Sequence, residues 1–366
     1  MFKYFLSLLL LLQSTTALSI EVKDLYSAEV PVSNQTTAER EKAKRKALSA
    51  VILKVAGDES VMSSPAMQNA KRNYAQYITQ FRYGLRRDQR TLVVDFDENK
   101  INQLFIDANL PLWGSLRPQV LMWTIVEDEF EREVVSSSSQ SSIPNLVHDF
   151  SSIRGLPIIL PLMDLTDAVN LNMSDLWGRF SEPVREVSER YAPEMVVVVR
   201  LSNNSLLPFI DEEADCQPLC AAPALALDWS LYSGSQTMTS NRMLLEYVGD
   251  SQEELMSKAL ADITHYIYNL YALATDNRQR YVIDVANVES METYVEVTQF
   301  LQELSAVKSV VLERADGPQR RFSLELLGSE TSFLATLKLN NKLKQFVDPL
   351  AQVEEGEIPV FLWEGR

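Results

Sequence analysis

Between Thr36 and Gly57, apolar residues recur every fourth position as Ala43, Ala47, Val51 and Val55, with Leu48 and Ile52 widening the stripe. That period sets one face of a helix against a core. Thr36-Thr-Ala-Glu39 supplies a capping box at the start, and Gly57 supplies a C-cap at the end. Before the helix, "EVKDLYSAEVPVS" alternates as a strand does. After it, "YITQFRYGLR" and "TLVVDF" read as two strands joined by a polar turn at Arg86–Arg90. "DENKINQLFIDANL" then reads as a helix capped by Asp97 and ended by Pro111. The order β-α-(α)-β-β-α describes a small α+β domain over residues 20–117.

Residues 118–277 follow a different rhythm. "VLMWTIV" and "PIILPLMD" read as strands on either side of a Ser-rich loop at 136–142, whose composition favours flexibility. "PVREVSERYAPE" reads as a helix. The unbroken apolar run "MVVVVRL" predicts a strand buried on both faces. "ALALDWSLYS" and "TMTSNRMLLEYVG" suggest antiparallel strands joined through Gly234. Ser251-Gln-Glu-Glu254 opens a long helix lined by Leu255, Ala259, Ile263, Ile267 and Leu270. The expectation is a mixed α/β domain with helices on the faces of its sheet. Residues 278–366 give strand, helix, a hairpin around Ala315-Asp-Gly-Pro318, helix and strand, the βαββαβ order of a ferredoxin-like domain. The fold class expected is therefore α+β (mixed α/β), in three small domains.

Residues 1–19, MFKYFLSLLLLLQSTTALS, combine one lysine, an apolar run from Phe5 to Leu12 and small residues before Ser19. This reads as a secretory signal cut after Ser19. The apolar run is far shorter than the ~20 residues a spanning helix needs, and no cysteine stands near the cut for a lipid anchor. The expected localisation is the periplasm, with no membrane span. Charge is unevenly spread along the rest. Residues 20–117 hold 15 basic and 12 acidic side chains, 118–277 hold 8 and 24, and 278–366 hold 10 and 14. The middle third repels nucleic acid and anionic lipid at long range, so any polyanion contact has to use the first third.

In an oxidising compartment, Cys216 and Cys220 in "DCQPLC" most simply pair with each other. A redox pair would more typically read C-x-x-C, and a metal site lacks nearby ligands, so no metal and no cofactor is expected. Two histidines, His148 and His265, limit catalysis. No G-x-S-x-G, P-loop, H-E-x-x-H or G-x-G-x-x-G occurs. The run from Asp95 to Asn99 imitates half of an EF-hand loop, but Lys100 and Ile106 stand where Gly and Glu are needed. Helix capping by Asp97 explains it better. The acidic runs Glu127–Glu133 and Asp211–Asp215 read as solvated loop surface. The basic cluster Arg40, Lys42, Lys44, Arg45 and Lys46, mixed with Glu39 and Glu41, reads as a solvated helix face with i,i+4 pairs. The other use open to it is contact with an anionic polymer. Loops beyond strand ends in α/β sheets are common binding places, which makes Asp164 and Trp177 the candidate site residues. Their bland alternative is a helix cap and a core or rim aromatic.

"DLYSAEVPV" with the basic helix behind it, "LPLMDLTD", "PEMVVVVRL" and "DWSLYSG" together resemble the DUF2066 family of bacterial envelope proteins over nearly the whole exported chain. The family carries no catalytic residues to transfer. More distantly, the middle stretch is similar to the amino-terminal α/β domain of the Tol–Pal propeller protein, the curli-export pore protein and activators of peptidoglycan synthases. The first segment is similar to flagellar ring assembly proteins. These resemblances imply docking and assembly rather than turnover. The expected function is a non-catalytic adaptor that meets an envelope partner with a basic face. A carboxylate-dependent hydrolase of cell-wall material and a small-ligand binding module are the alternatives. The oligomeric state is not written in the sequence.

Overall fold

The structure, a computed structural model, describes residues 20–22, 24–86, 88–207, 225–233, 245–271, 278–304, 306–327, 330–339, 342–346 and 358–365. Residues 1–19, expected to be a signal, together with Cys216, Cys220 and the acidic run Asp211–Asp215, lie outside the described residues. The fold is mixed α+β. Among the described residues no helix is long and apolar enough to cross a membrane.

In the first segment, β1 (Ile20–Glu21) and β5 (Leu116–Arg117) pair antiparallel and bring its two ends together. Between them, β2 (Ser27–Pro31), β3 (Ile78–Arg86) and β4 (Gln89–Phe96) form an antiparallel sheet in the order β2-β4-β3. Helix α1 (Thr37–Ala56) buries Ala43, Ala47, Leu48, Val51, Ile52 and Val55, the face its period predicted. Thr36 accepts the Glu39 amide, and Gly57 turns left-handed at φ 66° and returns its N–H to Leu53. Helices α2 (Pro65–Arg72) and α3 (Glu98–Asp107) follow. Asp97 caps α3 through the Lys100 amide, so its carboxylate serves the helix.

The middle segment runs β6 (Val120–Asp128), β7 (Glu131–Val135), α4 (Ile143–Arg154), β8 (Ile158–Ile159), α5 (Leu165–Asn170), α6 (Met173–Gly178), α7 (Ser181–Ser188), β9 (Met195–Ser202), β10 (Leu225–Ser233), β11 (Leu245–Gly249) and α8 (Gln252–Tyr271). Its sheet has the order β11-β10-β9-β6-β7, with β8 also on β6; β8 and β9 run parallel to β6. One face packs Val120, Met122, Val197, Val199 and Trp229 with α4 and α8. The other packs Leu121, Trp123, Val196 and Val198 with α6 and α7. All eight residues of β9 are buried, as its unbroken apolar run required.

Three local expectations change. The run "PIILPLMD" yields only two strand residues, because Pro157 and Pro161 lack the N–H a ladder needs. Glu127–Glu133 is not a loop: it closes the β6–β7 hairpin, Glu127 lying opposite Arg132. Leu270 turns outward from α8, 39% exposed, while Leu255, Ala259, Ile263 and Ile267 are buried.

The third segment runs β12 (Arg278–Ala286), α9 (Met291–Glu303), β13 (Val307–Asp316), β14 (Gln319–Leu327), α10 (Glu330–Lys338), β15 (Leu343–Gln345) and β16 (Val360–Trp363). The sheet order β13-β14-β12-β16-β15 keeps the split arrangement expected of βαββαβ. The short β15 adds one reversal, so β16 enters parallel to β12, Asp284 lying opposite Val360. Buried apolar side chains of the first and third segments form one contiguous cluster, whereas the middle segment has a cluster on each face of its sheet.

First and middle segments meet at Arg117. Its side chain is fully buried, and all five N–H groups reach main-chain oxygens. Nε donates to Gly114 O at 3.0 Å, Nη1 to Arg154 O and Gly155 O at 2.9 and 3.0 Å, and Nη2 to Lys54 O and Trp113 O at 2.7 and 3.1 Å. The guanidinium also lies 4.3 Å from the Trp113 ring centre. Burial pushes Arg117 down to about 9, which leaves it charged at neutral pH. Around it, Trp113 meets Tyr268 edge-on at 5.9 Å, and His265 faces Asp58 at 3.2 Å.

Candidate functional site

Helices α5 to α7 cover one face of the central sheet, and both sequence candidates lie with them. Asp164 is the N-cap of α5; its Oδ1 accepts the Thr166 and Asp167 amides at 3.0 and 3.1 Å. Arg190, just beyond α7, grips the same carboxylate as a fork at 2.7 and 2.8 Å and reaches Asp167 Oδ1 at 2.8 Å. Asp167 is buried, and its second oxygen accepts the Met163 amide at 2.8 Å and the Tyr191 hydroxyl at 2.5 Å. Arg190's hydrogen bonds hold the Asp164 carboxyl well below the usual carboxylate range. Burial, with the bond to Asp167, pushes the Tyr191 hydroxyl up to about 12.

Trp177 belongs to a second network. The Arg200 and Arg132 guanidinium carbons lie 4.9 and 4.1 Å from its ring centre, and its carbonyl accepts Arg200 Nη1 at 2.8 Å. The strand register puts Arg200 of β9 opposite Asp228 of β10. Asp228 accepts Arg200 Nε at 2.9 Å and Nη2 as a bidentate pair, and Arg179 approaches it at 3.3 Å. Arg132 donates to Glu127 Oε1 at 2.9 Å. Glu127 Oε2 accepts the hydroxyls of Ser202 and Ser205, each at 2.5 Å, and the Ser205 amide at 2.9 Å. Burial works to raise the Glu127 carboxyl, but these bonds outweigh it and bring the group down to about 2. Among the described residues, no hydrogen bond, ion pair or ring contact joins Asp164 to Trp177.

Asp164 and Glu127, both held below the usual carboxylate range, suit structure better than proton transfer at neutral pH. Glu194 differs: burial raises its carboxyl, and it accepts the Gln119 amide at 2.7 Å, with no neighbouring carboxylate contributing to the shift. A glycoside-cleaving pair needs a second carboxylate facing the acid. Among the described residues no three His, Cys, Asp or Glu side chains gather as a metal site. A cavity of about 370 Å³ opens between α5, α6 and α7, with Leu171, Leu176 and Val187 in its wall and Asp175 and Glu186 among its polar groups. Outside it, Leu165 and Val169 of α5 are 80% and 74% exposed, and Leu162, before α5, and Phe180, before α7, are exposed as well. The sequence reading missed Arg132, Arg200 and Asp228. The one available signal was a charged residue inside otherwise apolar strand runs, "VVVVRL" and "LALDW".

Two family models match the chain. Residues 19–114 match a domain of unknown function, DUF8605. Residues 281–353 match DUF2066. The third segment is a DUF2066 region. The motifs that suggested DUF2066 from the sequence, from "DLYSAEVPV" to "DWSLYSG", all precede that region. The first of them falls in the DUF8605 match, and the others fall between the two matches. No curated protein matches the chain. A solved structure of a formyltetrahydrofolate deformylase from Pseudomonas putida aligns at 13% identity, covering 55% of this chain and 87% of that one, with a TM-score of 0.17. A likeness that slight carries no argument about the DUF2066 region or the rest.

Proposed function

We propose that the protein is a non-catalytic adaptor of the cell envelope, exported to the periplasm, which docks a partner through the helices over its middle sheet. One observation carries this reading: Leu165 and Val169, at i and i+4 on α5, face solvent together with Leu162 and Phe180. Large apolar side chains exposed at i and i+4 on one helix are of the kind that marks contact sites. The polar groups beneath it are engaged with each other, as the Arg190 and Arg200 networks show. Eight basic against 24 acidic side chains in residues 118–277 favour a partner with a basic face. In the same reading, Cys216 and Cys220 form a disulfide and the three segments are domains, the first and third packed through a shared apolar core.

The test is site-specific photo-crosslinking in living cells. A crosslinker at Leu165 or Val169 is expected to give a discrete adduct, and one at exposed Arg314 is not. Leu165→Ser with Val169→Ser should abolish the adduct without moving the melting temperature. Absence of any adduct, together with hydrolysis of cell-wall material by the purified protein, would overturn the reading. The cavity beside α5 favours a small polar ligand as a second reading. Calorimetric titration with candidate amines and sugars would test it.

A further inference from the structure

The basic face of α1 takes no part in the docking surface above. Lys42, Arg45 and Lys46 are exposed along it, and Lys71 and Arg72 end α2, whose neighbour Tyr74 contacts α1. The i,i+4 pairing expected from the sequence does not form. Glu41 is taken by the Tyr74 hydroxyl and by Lys44 at 3.1 Å, and Glu39 lies in the first turn near the positive end of the helix. Among the described residues Lys42, Lys46, Lys71 and Arg72 have no carboxylate partner, and Arg45 lies 5.3 Å from the Tyr74 ring centre. On β3, Phe81 is 43% exposed with Lys44 and Arg40 over its ring at 4.3 and 5.9 Å, and Leu85, four residues further along the same side of the strand, is 68% exposed. Cations beside exposed apolar side chains suit a boundary where charged heads stay in water and apolar stems enter. A soluble polyanion offers nothing to Phe81 and Leu85.

We propose that this face docks on an anionic phospholipid surface. Lys42, Arg45, Lys46, Lys71 and Arg72 meet headgroup phosphates, with Phe81 and Leu85 at the interface. Charge sets the orientation, because residues 118–277 hold three acids for every base and are repelled by the same surface. The docked molecule thus presents its middle segment away from the lipid. This inference does not depend on the adaptor reading.

The test is sedimentation of the purified chain with vesicles of phosphatidylglycerol in phosphatidylcholine, against phosphatidylcholine alone. Binding is expected only with the anionic lipid and is expected to be lost at high salt. Each cation near such a surface contributes about fivefold, so Lys42→Ala with Arg45→Ala and Lys46→Ala should lower the partition coefficient on the order of 100-fold. The unfolding midpoint should stay in place. Lys42→Glu with Lys46→Glu reads the same patch without disturbing Arg45 on Tyr74. Leu85→Ser should weaken vesicle binding further. Equal binding to phosphatidylcholine, full binding by the triple variant, salt-sensitive self-association in place of vesicle binding, or binding of inorganic polyphosphate indifferent to Leu85→Ser would each overturn the proposal.

Discussion

Arg117 in the joint holds five main-chain oxygens and no carboxylate, whereas Arg200 in the sheet face holds the Asp228 carboxylate and one carbonyl. Both are buried cations in one chain, built on different sources of negative charge. The Arg117 acceptors include carbonyls at the ends of α1 and α4, groups that helix geometry leaves without an internal partner. Those ends carry the negative pole of each helix. The joint thus neutralises a cation with dipoles that do not titrate. The sheet face uses carboxylates, and one of them, Glu127, is held well below its ordinary value by the fold, so acid should separate the two regions.

The largest effect should come from Arg117→Met. It strips partners from five buried oxygens and removes the contact with Trp113, and urea unfolding should show a loss of about 4 kcal/mol. A loss below about 1 kcal/mol would mean that water or rearrangement replaces the guanidinium. Next, Asp228→Asn leaves Arg200 buried with its main counter-charge gone and should cost roughly 3 kcal/mol. Replacing both by apolar residues should recover much of that loss, which a double-mutant cycle would read.

Acid tests the comparison directly. Glu127 is lowered from 4.5 to about 2 in the fold, so its contribution is present above pH 4.5 and is lost as pH falls toward 2. That shift corresponds to roughly 3 kcal/mol. Glu127→Gln should flatten the stability profile between these limits, while Arg117→Met should leave its slope unchanged. Equal acid slopes in all three proteins would dissolve the distinction. Smaller still, Gly57→Ala forces a left-handed φ of 66° on an L residue and sets its Cβ 2.3 Å from the Tyr268 ring. A loss of about 2 kcal/mol is expected, partly relieved by shortening Tyr268. Leu165→Ser should change stability by less than about 0.5 kcal/mol, as exposed positions do.

Local features were legible. The caps at Thr36, Asp97 and Ser251, the stop at Gly57, the buried face of α1, the double burial of β9 and the β13–β14 hairpin each follow from residues a few positions apart. The networks were not legible, because their partners stand far apart in sequence: Arg200 and Asp228 are separated by 28 positions, Arg117 and Lys54 by 63. Arg117 read as the edge of a domain and proved to be a buried clasp. Asp164, a candidate site residue in the sequence, caps α5 and is tied to Arg190, a partner 26 positions away. Trp177 is a half-buried aromatic under two guanidinium groups. The bounds of short helices such as α6 are not legible, because six residues carry too little periodicity to mark them.

The parallel entry of β16 has a consequence for biogenesis. This strand lies between β12 and β15, inside the sheet rather than at its rim. The ribosome must deliver residue 363 before that gap can close, so a nascent chain paused upstream exposes the free edge of β12 to any passing strand. The side chains of β12 share their apolar cluster with α1. The portion made first therefore waits for the portion made last, and a holding chaperone has most to protect during that interval.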